Sequence, residues 1–189
     1  MPAGLWRRSL AALADSLPLL GLSWWLALRL AGADELAARD TVAAFYDRMQ
    51  ALSMQAQRTG SSAALWDLAL HPPEATLQAY ATWFGFVGTV AFVVVATALS
   101  VQEWRGGGRT LGKRIFNLRT AEVPDGAPPG FLPSLLRSAW KAAFLCLPNP
   151  LFTLLGIVNA HVPLFRADRR AWHDLWTRTQ VIEDDGRDA

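Results

Sequence analysis

The sequence predicts an all-α polytopic membrane protein with about three hydrophobic segments and a small cytoplasmic β-ribbon. Two observations carry this prediction. Of the 189 residues, 28 in succession between Glu74 and Glu103 are uncharged, and so, apart from His161, are the 24 between Lys141 and Arg166. Both runs exceed the roughly 18 to 20 apolar residues needed to cross about 30 Å of hydrocarbon. The charged share, 18%, lies below the roughly 25% of soluble domains. A net charge of +2 is too small to suggest a nucleic-acid partner, and a single cysteine, Cys146, allows no intrachain disulfide.

The first hydrophobic segment covers residues 9–28, with Asp15 as its one charge. Arg7 and Arg8 before it, and Ala31-Gly32-Ala33 after it, imitate a cleavable secretory signal. The length of the run, Asp15 within it and Arg29 beside the supposed cut favour an uncleaved transmembrane helix. Counting Lys and Arg in the flanks sets the orientation. Residues 32–74 carry three arginines against six acids, whereas residues 102–141 carry seven basic residues against three acids. The N-terminus and the 102–133 loop are expected in the cytoplasm, and 32–74 forms an extracytoplasmic helical insertion. In that insertion Leu36, Val42, Phe45, Met49 and Leu52 recur at helical intervals, predicting a helix to about Gln57 and a shorter one at 63–70 before Pro72-Pro73.

The second span is expected at 76–101. The third segment, 142–165, is interrupted by Pro148-Asn149-Pro150, where missing backbone donors and ring clashes break a helix. Arginines and Lys141 on both flanks favour a broken hairpin returning to the cytoplasm over a single kinked span. Such a hairpin must recruit residues 134–141 into its first arm or be re-entrant. Among the tryptophans, Trp6, Trp104 and Trp140 are expected at the inner boundary and Trp24, Trp25 and Trp83 at the outer one. Trp172 and Trp176 suit an interfacial helix.

Gly107 to Lys113 matches G-x-x-x-x-G-K, but Arg114 stands where a phosphate-binding loop needs Ser or Thr, and a membrane span precedes it instead of a buried strand. Residues 115–123 read as a strand ending in a Pro124-Asp125-Gly126 turn, and residues 179–183 as a second one; pairing them gives the ribbon. The sharpest chemical signal is Asp15, because a carboxylate in a membrane segment normally has a partner or a function. Arg8, seven residues earlier, shares its helix face about 10.5 Å away, so a third group must complete any link. Arg170, Asp174 and Arg178 follow an i, i+4, i+8 spacing that reads as a surface ladder. His173 reads as a polar interfacial residue, and none of the histidines has companions at metal-ligand spacing, so neither metal nor cofactor is expected.

Four ordered blocks resemble the RDD family of membrane proteins across nearly the whole chain. They are W-R-R-x3-A-x2-D from Trp6 to Asp15, G-x-T-x-G-K-R from Gly108 to Arg114 followed by Leu118-Arg119-Thr120 and Asp125-Gly126, then Arg137, and R-x2-H-D-L-x3-T-x-V from Arg170 to Val181. Arg119-Thr120 stands where a valine-rich strand is usual, and the outer segment is longer than typical. The resemblance implies a single RDD-type domain over 1–189 and a polar cluster of Arg8, Asp15 and Asp174, with Gly112, Lys113, Arg137 and His173 in support. It also implies transport of small ligands, or cation/proton antiport through the intramembrane carboxylate, in a multi-pass inner-membrane protein. The alternative is an accessory or assembly protein that docks a membrane complex. The expected partners are the lipid bilayer, further copies of the chain and a membrane protein; no enzymatic activity is expected.

Overall fold

The computed structural model describes residues 2–123 and 125–184, so Pro124 of the expected turn lies outside the described residues. The chain is predominantly helical: α1 (Leu5–Leu30), α2 (Ala33–Thr59), α3 (Ala63–Leu70), α4 (Glu74–Arg105), α5 (Leu111–Ile115), α6 (Phe131–Cys146), α7 (Pro150–His161) and α8 (Trp172–Trp176). Two strands, β1 (Leu118–Glu122) and β2 (Thr179–Glu183), pair antiparallel with Thr120 opposite Val181. The chain divides into two compact units, residues 1–26 with 88–189, and residues 27–87.

Helices α1 and α4 are each long and apolar enough to cross a membrane, with mean hydropathies of 1.4 and 2.2 over their most apolar stretches. Only 22% and 33% of those stretches are buried inside the protein. A core helix of a water-soluble protein buries its apolar face; here Leu13, Leu17, Leu22, Trp25 and Val93 face outward, as side chains solvated by lipid do. Polar groups within the helices are satisfied locally: Ser23 donates to the Leu19 carbonyl at 2.7 Å and Ser100 to that of Ala96 at 2.5 Å.

In the unit of residues 27–87, Ala38 and Val42 of α2 pack on Ala79 and Trp83 of α4. Helix α2 ends at Gly60, whose left-handed backbone (φ 72°) lets its N–H reach the Ala56 carbonyl. Trp83, expected at the outer boundary, is 2% exposed, with Ala38 and Val42 of α2 in the same packed cluster.

In the other unit, Leu19 and Leu20 of α1 pack on Val95, Ala96 and Leu99 of α4, with Ala142 of α6. Helix α6 begins well before the apolar run and includes residues 134–141, the first of the two ways in which a hairpin could be built. The break falls where expected: Asn149 caps α7 by accepting from the Leu151 N–H at 2.9 Å, and Pro150 takes the first helical turn, where no donor is needed. Gly156 of α7 lies against Phe144 of α6, where an added Cβ would come within 2.9 Å of the Phe144 Cβ. The chain leaves β1, runs through the α6–α7 hairpin and returns as β2 beside β1.

Two local expectations are corrected. The strand starts at Leu118, not at Ile115, because Leu111–Ile115 is a short helix capped by Thr110, and Asn117 turns the chain with a positive φ of 50°. Asparagine tolerates that region better than most residues. The Arg170–Asp174–Arg178 ladder does not form either. Helix α8 covers Trp172–Trp176 alone, and Arg178 has a positive φ of 51°, which ends the helix and swings the chain into β2.

Gly88 of α4 faces the end of α6, where a Cβ would lie 2.6 Å from the Cys146 carbonyl oxygen and 2.7 Å from Pro148 Cδ. Backbone and a proline ring cannot yield cheaply, so Gly88→Ala is expected to destabilise the protein by about 1–3 kcal/mol. At Gly85 a Cβ meets nothing within 4 Å. Gly85→Ala serves as the control in a thermal melt of the detergent-solubilised protein, and an equal loss in both variants would refute the packing argument.

Candidate functional site

The polar residues gather at one end of the unit formed by residues 1–26 and 88–189, where α1, α4, α5, α6, α8 and the ribbon meet. Their centre is Asp174, fully buried in the first turn of α8, which follows the cap residue Ala171. Its Oδ2 lies 2.8 Å from Arg8 Nη2 and accepts the Ala171 N–H at 3.1 Å. Its Oδ1 accepts from Arg137 Nη1. Arg137, also fully buried, places Nε 3.3 Å from Glu103 Oε1, an ion pair without hydrogen-bond alignment, and Nη1 donates to Thr179 Oγ1. Glu103 in turn accepts from Lys113 Nζ at 2.7 Å, and Lys113 donates to Thr120 Oγ1 at 2.6 Å. Five charges of alternating sign thus form one chain: Arg8, Asp174, Arg137, Glu103, Lys113.

Asp15 sits apart from that chain. Its Oδ1 accepts the Gly112 N–H at 2.7 Å and its Oδ2 the Thr110 hydroxyl at 2.5 Å. Arg8 does not reach it, turning instead to Asp174 and the Arg169 carbonyl. The shared face of Arg8 and Asp15 therefore grips two different elements, α8 and the start of α5. Gly112 makes the second grip possible, because a Cβ there would collide with the Ala11 carbonyl oxygen and lie 3.0 Å from Asp15 Cγ. The G-x-T-x-G-K-R block is thus a docking surface for α1. Lys113, the lysine of the phosphate-loop pattern, is buried against Glu103 and does not face a nucleotide cradle.

His173 is buried beside Asp174. Asn159 Oδ1 is occupied by the Trp172 N–H at 2.9 Å, so its Nδ2 is left to donate to His173 Nδ1 at 3.2 Å. Nδ1 must then be the acceptor, which leaves the proton on Nε2, 3.3 Å from Asp174 Oδ1. The imidazole is neutral: burial, reinforced by Lys141, Arg137 and Arg8, pushes its pKa down to about 3 despite the pull of Asp174. For Asp174, burial would raise the pKa, but the charges of Arg137 and Arg8 outweigh it and hold the carboxyl well below the usual range. Burial likewise holds Lys113 below the ordinary lysine range although Glu103 opposes it.

A cavity of about 260 Å³ opens among these groups. Arg8, Asp15, Glu103, Lys113, Lys141 and His173 contribute to its wall. Among the described residues no group of histidine, cysteine and carboxylate side chains has the arrangement to hold a metal ion. The structure therefore brings Arg8, Asp174, Lys113, Arg137 and His173 together, with Asp15 and Gly112 alongside. Glu103 is the member that the sequence conceals: it reads as the charge that ends an apolar run. Its signal was the G-x-T-x-G-K-R block ten residues on, whose lysine needs a buried anion.

The RDD family model matches residues 2–178, and no curated protein or solved structure matches the chain. With nearly the whole length matched, the chain belongs to the RDD family.

Removing one partner of a buried pair typically costs about 3–5 kcal/mol, so Asp174→Asn is expected to strip most of the stability of the protein, read as lost folded yield in a thermal melt. His173 predicts a pH response. An unfolded histidine titrates near 6.5 and the folded one near 3, so the unfolded chain binds the extra proton between these values and stability falls as the pH drops from about 6.5 toward 3. His173→Gln should flatten that slope in denaturation series at successive pH values. An unchanged slope would mean that the imidazole is not held neutral.

Proposed function

We propose that this RDD-family membrane protein handles a small ligand at the polar cavity beside α1, as a transporter or cation/proton antiporter would. The observation that carries the proposal is the cavity itself, because ionisable side chains from α1, α4, α5, α6 and α8 surround a space of about 260 Å³ at the end of two membrane-length helices. Ionisable groups within membrane helices commonly mark ligand or ion pathways, and Asp15 lies inside α1. Asp15 lies in that wall and is the intramembrane carboxylate through which exchange would proceed, with Arg8 and Asp174 fixing the entrance.

The proposed topology puts the N-terminus, the 102–133 loop and the ribbon in the cytoplasm of an inner-membrane protein, with 32–74 outside. The Ala3 N–H donates to the Val181 carbonyl at 3.1 Å and Arg7 pairs with Glu183 at 3.0 Å, which supports one side of the membrane for both ends of the described chain. The α6–α7 hairpin then enters and leaves from the cytoplasmic side. Two membrane-length helices are few to enclose a polar path, which supports a homo-oligomer in the bilayer.

The second reading is an accessory protein that docks a membrane complex, with the Arg/Asp cluster purely structural. The saturation of Asp174 favours it, since each oxygen already has partners.

Proton and sodium flux into vesicles reconstituted with equal amounts of folded protein separates the two. Wild type is expected to conduct and Asp15→Asn to lose most of the flux; equal flux from both, or from empty vesicles, rejects transport through Asp15. Loss of folded Asp15→Asn protein before any assay favours the accessory reading. Topology has its own test, a cysteine at Ala189, which lies outside the described residues, in a background lacking Cys146. It is expected to resist a membrane-impermeant thiol reagent in intact cells and to react once the membrane is opened.

A further inference from the structure

The charges around the cavity do not balance. Arg8, Lys113 and Lys141 line it against Asp15 and Glu103, three cations to two carboxylates, and His173 is neutral. Arg137 and Asp174, behind the wall, cancel one another. Four of the five lining charges have charged or hydrogen-bonding partners: Arg8 on Asp174, Lys113 on Glu103, and Asp15 on Gly112 and Thr110. The exception is Lys141. Among the described residues its ammonium has no hydrogen-bond or ion-pair partner, although it is half-buried within electrostatic reach of Arg137, Lys113, Glu103 and Asp174. A half-buried ammonium held near two other cations without its own anion is a costly arrangement.

Most of the remaining wall is apolar, with Leu5, Leu99, Leu118, Pro163 and Val181 contributing to it beside the polar Ser9, Thr110 and Asn159. The space equals about nine waters at their liquid volume of about 30 Å³ each. A hydrated inorganic anion would waste the apolar wall, and a neutral apolar molecule would leave Lys141 bare. A molecule with one carboxylate on a short aliphatic tail satisfies both halves.

We propose that the cavity beside Lys141 is a binding site for a monocarboxylate, whose charged head pairs with the Lys141 ammonium while its aliphatic tail lies against Leu5, Leu99 and Val181. The inference deepens the ligand-handling reading and rests on it, naming the class of ligand and a residue that the Arg/Asp cluster leaves out. The carboxylate has two possible sources, a water-soluble short-chain acid or an acyl acid in the bilayer.

The test uses the full-length protein in lipid nanodiscs, with hexanoate, its uncharged twin hexanamide, and nanodiscs with or without oleate. Calorimetric titration is expected to show hexanoate binding, or oleate to compete for the same site, with hexanamide at least about tenfold weaker, as the loss of one charge-assisted contact implies. Lys141→Met should weaken carboxylate binding about tenfold or more, and Lys141→Arg should restore most of it. A response to oleate alone assigns the bilayer as the source. Equal binding of hexanoate and hexanamide to wild type overturns the proposal without any variant, as does failure of both acids to bind, or full binding by folded Lys141→Met. The two readings fail separately: flux without carboxylate binding removes this inference and keeps transport, while Lys141-dependent carboxylate binding without any flux keeps the site and removes transport.

Discussion

Everything at the ribbon end of the molecule depends on one constraint: five alternating charges removed from water must each keep an opposite neighbour. Taking an ion out of water costs several kcal/mol even after relaxation. The Arg8, Asp174, Arg137, Glu103, Lys113 chain meets that cost by sharing, since each inner charge touches two of opposite sign. The five come from five helices, α1, α8, α6, α4 and α5, so no helix can leave without stranding a charge on its neighbours. Such an arrangement specifies one assembly more than it adds stability, because a well-packed apolar replacement is often as stable as a buried ion pair.

The ribbon completes the constraint from a different direction. A two-stranded ribbon is marginal in isolation, and this one is fixed by what its inward face offers. Thr120 and Thr179 are fully buried and give their hydroxyl oxygens to Lys113 and Arg137. Leu118 and Val181, on the same strands, pack with Ala3 and Ala11. Alternation along each strand therefore delivers one hydroxyl and one apolar side chain to the same surface. The hydroxyls take the donors that the two carboxylates leave over, and the apolar pair seats the start of α1.

How much of this was legible follows the range of the interaction that decides each element. The long helices were legible, since hydrophobic length alone demands them, and so was the break at Pro148-Asn149-Pro150, where backbone chemistry is local. β2 at 179–183 was legible as a short strand-like run. The start of β1 was not, because Asn117 and the cap at Thr110 override the strand character of Ile115 and Phe116. The burial of Trp83 was not legible, because a tryptophan near a span end reads alike whether lipid or Ala38 and Ala79 receive it. At the site, family resemblance brought Arg8 and Asp174 into one cluster, yet placed Asp15 in the same group. The sequence shows that Arg8 and Asp15 share a face; it does not show that α5 and α8 divide that face between them. Glu103 and Lys141 were invisible as site residues because each reads as the charged boundary of an apolar run, and a boundary charge normally snorkels to water.

That inversion separates the two roles within the cluster. Glu103 turns inward because Lys113 and Arg137 wait for it, so its burial is explained by protein partners alone. Lys141, inside α6, lines the cavity with no such partner, although four methylenes give its ammonium reach in other directions. A residue that keeps a costly position against its own flexibility requires a cause outside the ion-pair chain. The rigid pairs on either side supply the setting, since fixed walls and a preformed charge lower the entropy that a ligand loses on binding. Structural lock and ligand site are therefore successive layers of one arrangement: the paired charges hold the walls, and the unpaired one gives the space between them a chemical preference.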